Sequence, residues 1–283
     1  MPPVAPKEQR GLARRVGPDL LLRVASAVVL APLAIGAAYV GGWLFAGFWL
    51  IAALGVLWEW STLVGGNAAQ RITLAGGAAL IVATLALQLG HPALALAAVV
   101  AGMAAVAVAP RSRLSASGGV SYAAAIVLSP VLLRADSHYG FAVVMLLFAV
   151  VWGTDIAAYF GGRLIGGPKL LARVSPKKTW SGALVGAAAA VLLGLAVAKV
   201  AAIGNVAAIA LLCLLLSAAS QAGDLFESAI KRRFGAKDTS QLIPGHGGLM
   251  DRLDGFVVAA LIAALIGAAR GGLTTPSRGL LIW

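Results

Sequence analysis

Long apolar runs follow one another along almost the whole chain, separated by short polar segments. A helix needs about 20 mostly apolar residues to cross the hydrocarbon core of a bilayer. The pattern predicts nine transmembrane helices, at residues 24–40, 43–63, 72–90, 92–109, 119–133, 139–160, 180–200, 205–230 and 255–270. The run at 119–133 is the weakest of the nine, so eight spans remain an alternative.

The composition is also that of a membrane protein. Of the 283 residues, 60% are hydrophobic and 11% are charged, whereas a soluble domain carries about 25% charged residues. These values exclude a soluble enzyme and a nucleic-acid-binding domain, and they predict an all-α polytopic membrane protein. The single cysteine, Cys213, excludes an internal disulfide and a multi-cysteine zinc site.

The basic residues are unevenly divided between the two sides of the predicted bundle. With nine spans and the N-terminus in the cytoplasm, 18 of the 22 Lys and Arg residues fall on the cytoplasmic side. Such an excess is typical of cytoplasmic loops. We therefore expect a cytoplasmic N-terminus and a C-terminus on the opposite side, with the first span retained rather than cleaved as a signal peptide. The net charge of +12 then reflects orientation and contact with anionic headgroups, not nucleic acid.

Polar residues divide the chain into regions. We predict a basic cytoplasmic segment at 1–23, a membrane scaffold of about five helices at 24–138, a site-bearing region at 139–270 and a C-terminal tail at 271–283. Six of the ten acidic residues lie between positions 155 and 254, in or beside two long cytoplasmic loops, 161–179 and 231–254. Glu59, between Trp58 and Trp60, is far from these loops in sequence, and we expect its replacement by glutamine to be mild.

A polar stripe runs down the eighth apolar run. Its members recur at steps of three and four residues: Ser217, Gln221, Asp224, Ser228 and Lys231. Glu227 lies on the same face, and a carboxylate at membrane depth should face a cavity, a partner or a cation. The structural alternative is an ion pair between Glu227 and Lys231.

A second cluster occupies residues 244–255, with His246, Gly247, Gly248, Asp251, Arg252 and Asp254. Glycines allow a backbone to approach a ligand closely. Asp251 and Asp254 share one face if a helix begins there. The alternative is a solvated loop that caps the ninth span.

A third cluster begins at Asp155, near the cytoplasmic end of the sixth span. The loop that follows supplies five cations: Arg163, Lys169, Arg173, Lys177 and Lys178. For any single lysine, ordinary cytoplasmic charge is the simpler interpretation. Trp180, after this loop, is equally well explained as an interfacial anchor.

The three clusters together predict a polar cavity that faces the cytoplasm. Carboxylates suit Mg²⁺, which takes one or two of them plus substrate phosphates, and basic residues suit phosphate. Phosphoryl or nucleotidyl transfer needs this combination. The chain has no P-loop, no H-E-x-x-H zinc motif and no complete CDP-alcohol phosphatidyltransferase motif.

The spacing of these residues resembles the signature of phosphatidate cytidylyltransferases, also called CDP-diacylglycerol synthases. The matching segments are Ser228-x-x-Lys231-Arg232, Lys237-Asp238-x-Ser240 and Pro244-x-His246-Gly247-Gly248-x-x-Asp251-Arg252-x-Asp254. Gly223-Asp224-Leu225-x-Glu227-Ser228, Trp152-Gly153-x-Asp155 and the 175–180 segment are similar to other blocks of that family.

The resemblance implies Mg²⁺-dependent transfer of the cytidylyl group of CTP to phosphatidic acid, which yields CDP-diacylglycerol and pyrophosphate. It implies metal ligands at Asp224, Asp251 and Asp254, with Glu227 and Asp155 as second choices and room for a second cation. It implies catalytic roles for Lys231, Arg232, Lys237, His246 and Arg252. It implies substrate binding by Ser175, Lys177, Lys178, Thr179, Ser228, Gly247 and Gly248.

Two other functions remain open: a CTP-dependent polyprenol or phytol kinase, and a cation or phosphate transporter. A transporter should carry its polar groups near the midplane and show internal repeats, whereas these groups gather at helix ends. The expected partners are CTP, phosphatidic acid and the bilayer of a bacterial inner membrane. No nucleic acid partner is expected, and a homodimer is left open.

Overall fold

The structure, a computed structural model, describes residues 18–107, 113–240, 242 and 247–283. This part of the chain is built almost entirely of helices, which confirms the predicted all-α class. Its long helices are α1 (Pro18–Val40), α2 (Gly42–Val64), α3 (Ala69–Gln88), α4 (Pro92–Ala107), α5 (Arg113–Arg134), α6 (Gly140–Leu164), α7 (Trp180–Val200), α8 (Val206–Arg233) and α9 (Met250–Gly271). A short helix, α10 (Pro276–Leu281), packs against α9.

Each predicted apolar run corresponds to one of these nine long helices. In the described part of the chain, seven helices are long and apolar enough to cross a membrane. The shorter apolar segments are α4 and Val28–Val40 of α1. The helices are therefore confirmed, and the count of nine crossings stays a prediction.

The run predicted as the weakest span, α5, lies deep inside the bundle. Of its apolar window 67% is buried, against 22% for α7. At Gly119 a Cβ would come within 2.3 Å of Trp60 Cδ1, and the indole of Trp60 donates to the carbonyl of Ser115 at 2.7 Å. A helix enclosed by other helices packs through small residues. The run was ranked weakest because it is short, and α5 is no less hydropathic than α2 or α3.

The segment predicted as a loop at 161–179 contains a β-hairpin. Strand β1 (Lys169–Leu171) pairs antiparallel with β2 (Ser175–Thr179), and Lys169 lies opposite Thr179. Thr179 also caps α7, because its Oγ1 accepts a hydrogen bond from the Gly182 N–H at 3.2 Å. The cap joins the hairpin to α7 and so fixes the strand that carries the two adjacent lysines, Lys177 and Lys178.

Glycines bring α8 and α9 close together. A Cβ at Gly223 would come within 2.5 Å of the carbonyl oxygen of Asp254, and a Cβ at Gly255 within 2.4 Å of Ser220 Oγ. Only glycine allows two backbones to approach this closely. Because α9 begins at Met250, the acidic residues predicted to share a face lie in its first two turns, next to α8.

Candidate active site

A cavity of about 1080 Å³ opens between α1, α2, α6, α8, α9 and the hairpin. Its polar lining consists mainly of Asp155, Lys177, Lys178, Thr179, Gln221, Asp224, Asp251, Arg252 and Asp254. These residues come from all three clusters that were singled out in the sequence. The predicted convergence of the clusters on one cavity is therefore present in the fold.

Three carboxylates on three different helices line the cavity. Asp155 is on α6, Asp224 on α8 and Asp254 on α9, and the three interact electrostatically with one another and with Lys178. Lys178 forms an ion pair with Asp224 Oδ2, and Ser228 Oγ lies 3.4 Å from Asp224 Oδ1. Lys178 thus lies among the three carboxylates.

A second group of charges lies between α8 and α9. Lys231 contacts two carboxylates, Glu227 Oε2 at 2.7 Å and Asp251 Oδ1 in a shorter ion pair. The i,i+4 pair between Glu227 and Lys231, raised as a structural alternative, is therefore present. The side chain of Glu227 is 1% exposed, so its charge is compensated by Lys231 inside the protein rather than in the open cavity.

Asp251 has a dense set of hydrogen-bond donors in addition to Lys231. Its Oδ2 accepts from the backbone N–H groups of Gly248 at 3.0 Å and Thr239 at 3.3 Å, and from Thr239 Oγ1 at 3.0 Å. At the first turn of a helix these contacts also favour a negative charge. Asp251 therefore organises the loop before α9 as well as lining the cavity.

The backbone conformation and the packing before α9 require glycine at positions 247 and 248. Gly247 has a φ of +85°, a left-handed conformation that favours glycine. A Cβ at Gly248 would lie 1.9 Å from Thr239 Oγ1. The predicted contact of both glycines with substrate stays a prediction, because neither lines the cavity in the described part of the chain.

Glu59 is the residue that the sequence interpretation missed, because it is far from the site loops in sequence but contacts the start of α9 in the fold. Distance in sequence is therefore no ground for expecting a mild effect of Glu59→Gln, and the effect itself stays a prediction. Glu59 lies on α2, is fully buried, and accepts hydrogen bonds from Thr239, Ser240, Leu249 and Met250. No local pattern links α2 to a loop 180 positions later. The available signal was a carboxylate in an apolar run, which needs a polar partner.

The polar stripe of α8 divides into two parts. Ser217 pairs with Thr154 of α6 at 2.8 Å, and Gln221 donates to the carbonyl of Ala183 on α7 at 3.3 Å. These contacts join helices inside the bundle. Gln221 and Asp224 also line the cavity. Ser228 and Lys231 do not line it and reach the site through their contacts with Asp224 and Asp251.

Several other predicted site residues lie away from the cavity. Arg232 is exposed and donates to the carbonyl of Ala236 at 3.3 Å, Lys237 is exposed, and Ser175 begins β2. His246 lies outside the described residues. In the described part of the chain, no group of three or more His, Cys, Asp or Glu side chains is arranged to hold a metal ion, so the five predicted ligands do not meet at one point.

Aromatic side chains also line the cavity. The rings of Trp49 and Phe256 stack with centroids 4.6 Å apart, and those of Phe148 and Trp152 stack at 4.7 Å. All four residues line the cavity, together with apolar side chains of α1 and α2. The same cavity therefore offers both charged groups and an apolar, aromatic surface.

Comparison with known proteins agrees with this arrangement. Residues 21–269 match the model of the cytidylyltransferase family. A phosphatidate cytidylyltransferase of Brucella suis is 45% identical over 262 residues, which cover 92% of this chain and 97% of that protein. One of Brucella abortus is 46% identical over 88% of this chain and 94% of its own length, and one of Haemophilus influenzae is 40% identical over 44% and 45%. The chain therefore belongs to the cytidylyltransferase family.

Proposed function

We propose that the chain is a phosphatidate cytidylyltransferase, a membrane nucleotidyltransferase that converts CTP and phosphatidic acid into CDP-diacylglycerol and pyrophosphate. The observation that carries the proposal is that one cavity is lined both by acidic and basic groups and by stacked aromatic rings. A nucleotide and a phospholipid headgroup need the first surface, and acyl chains need the second. The names of the relatives support the same activity.

The reaction is an in-line displacement at phosphorus. A phosphate oxygen of phosphatidic acid attacks the α-phosphorus of CTP and forms the new P–O–P bond. The bond between the α-phosphorus and the bridging oxygen breaks, and its electron pair leaves with pyrophosphate. Since no covalent enzyme intermediate is needed, the protein contributes position and charge neutralisation.

Four cations line the cavity in the described part of the chain, Arg163, Lys177, Lys178 and Arg252, and we propose that the last three neutralise the phosphates. Lys231 is held between Glu227 and Asp251, which fixes its position at the junction of α8 and α9. Arg232 and Lys237 are exposed, and we propose for them attraction of the nucleotide rather than contact with the transferred group.

The donors at the cavity fit Mg²⁺, which keeps few protein ligands and takes others from substrate phosphates. Asp224 and Asp254 lie on adjacent helices that Gly223 brings together, and Asp155 is the third candidate. Glu227 is the weaker candidate, because its buried carboxylate already faces Lys231. When bound, Mg²⁺ would reduce the repulsion between the anionic substrates. If Asp224 and Asp254 held this ion, Asp155 would be available as a ligand for a second cation.

We further propose that the charged groups of the cavity face the cytoplasm of a bacterial inner membrane, where CTP is available. The acyl chains would stay among α1, α2 and α6, in contact with the bilayer. All the groups named here come from one chain, so a homodimer would carry two complete sites.

The test is an acceptor assay with purified protein in detergent. CTP is supplied with phosphatidic acid, with a polyprenol or with diacylglycerol, and the lipid products are separated. The proposal expects CDP-diacylglycerol from phosphatidic acid alone. Phosphorylation of an alcohol would identify a kinase, and CTP-independent phosphate or cation uptake into vesicles without any lipid product would identify a transporter.

A further inference from the structure

Glu59 caps α9 from a different helix. Its Oε1 accepts the N–H of Leu249 at 2.8 Å and its Oε2 accepts the N–H of Met250 at 2.7 Å. The first N–H groups of a helix have no partner within it, and the positive end of the helix dipole favours an anion. These contacts explain how a fully buried carboxylate on α2 is stabilised.

Glu59 also holds the segment that leads towards α9. Ser240 Oγ donates to Glu59 Oε1 at 2.5 Å, and Thr239 Oγ1 lies 3.3 Å from Glu59 Oε2. The same Thr239 hydroxyl lies 3.0 Å from Asp251 Oδ2. One threonine side chain therefore links Glu59 to Asp251.

We propose that Glu59 is a positioning residue for cytidylyl transfer. It fixes the 239–240 segment and the start of α9, and through them the orientation of Asp251 and of Lys231, which pairs with Asp251. In the described part of the chain Glu59 does not line the cavity, so it acts through its neighbours. This inference rests on the proposed function.

The experiment measures kcat and both KM values of the Glu59→Gln variant. Glutamine keeps the size of the side chain but removes the charge. It also replaces one acceptor oxygen by an NH₂ group, which cannot accept a hydrogen bond from the backbone N–H groups of Leu249 or Met250. A displacement of about 1 Å at a reacting site costs up to about 10²-fold in rate, so kcat should fall by about 10- to 100-fold. The KM values for CTP and phosphatidic acid should change little, because Glu59 is not at the cavity surface.

The matched control is Asp136→Asn. Asp136 Oδ1 accepts the N–H groups of His138 and Tyr139, each at 2.8 Å, at the start of α6. It is thus a capping carboxylate at the far end of α6 from Asp155. Both substitutions should lower thermal stability, but kcat of Asp136→Asn should equal that of the wild type. An equal loss of kcat in the two variants would reduce Glu59 to a structural cap and overturn the proposal.

Thr239→Val serves as the second variant, because it keeps the side-chain shape and removes the hydroxyl between Glu59 and Asp251. Its kcat should fall, and the double variant with Glu59→Gln should lose less than the product of the two single losses, since both act through one link. If Glu59→Gln has the kcat of the wild type, the positioning role is contradicted but the proposed function is not. If Glu59→Gln does not fold, a wild-type kcat in Thr239→Val leads to the same conclusion. A wild-type protein that makes no CDP-diacylglycerol contradicts the proposed function instead.

Discussion

Lys178 of the β-hairpin and Asp224 of α8 form an ion pair in the lining of the cavity. Their side chains are 27% and 30% exposed, so the pair adds no more than about 1 kcal/mol to stability. The two opposite charges balance each other in the lining of the cavity. A substrate phosphate that binds there would compete with Asp224 for Lys178.

Replacement of Lys178 should therefore impair activity more than stability. We expect Lys178→Met to lower kcat/KM by about 10²–10³-fold, the usual loss when one contact to developing charge is removed. Lys169→Met is the control, because Lys169 lies on the same hairpin, is exposed and does not line the cavity. Equal rates for the two variants would show that Lys178 contributes only general positive charge.

Asp224→Asn and Asp251→Asn should both abolish turnover but differ in stability. Asp224 is partly exposed, so its variant should unfold like the wild type. Asp251 has a side chain that is 9% exposed and compensates Lys231, so its variant should lose about 1–3 kcal/mol as well. Thermal unfolding and cytidylyl transfer are measured on each purified variant. If both retained more than about a tenth of the wild-type rate, Asp224 would not be a metal ligand and Asp251 would not be needed to organise the site.

Only some of the residues predicted from local patterns line the cavity. Asp224, Asp251, Asp254 and Lys178 lie on helix faces or beside helix caps, where spacing along the chain determines direction. Glu59 could not be located in this way, because its contacts depend on how α2 packs against the start of α9. The exposure of Arg232 and Lys237 was also not predictable. A sequence signature gives the residue types at each position, but it does not show that α8 ends at Arg233, so that Arg232 and Lys237 point away from the cavity.

The burial of α5 illustrates the same limit. Ser115 and Ser117 shorten its apolar run, so the run ranks as the weakest span, while its place at the centre of the bundle depends on packing between helices that are distant in sequence. The hairpin at 169–179 was missed because two strands of three and five residues are too short to show an alternating pattern.

The close contact of α8 with α9 can be tested at Gly223. A methyl group there would lie 2.5 Å from the Asp254 carbonyl oxygen, so Gly223→Ala should separate the helices. We expect a loss of about 1–3 kcal/mol in stability, together with lower activity because Asp224 and Asp254 move apart. Gly36→Ala is the control, since nothing lies within 4 Å of its Cβ position. Equal behaviour of the two variants would contradict the tight packing.

The orientation of the bundle can be tested with reporter fusions at the two termini and with introduced cysteines. Seven or nine crossings are both odd numbers, so the termini should lie on opposite sides, with the N-terminus in the cytoplasm. Lys169→Cys should be labelled from the cytoplasm and Ser137→Cys from the other side, while buried Cys213 stays unlabelled. Both termini on one side would mean that one span is wrongly assigned.

The central claim, that this cavity transfers the cytidylyl group of CTP to phosphatidic acid, is tested most directly by following two phosphorus labels. Purified protein is incubated with Mg²⁺, phosphatidic acid and CTP labelled at either the α or the γ position. We predict that α-label enters the lipid and γ-label is released in pyrophosphate, in equal amounts, and that EDTA stops both. Transfer of γ-label to lipid, or undiminished turnover after complete removal of divalent metal, would contradict the account.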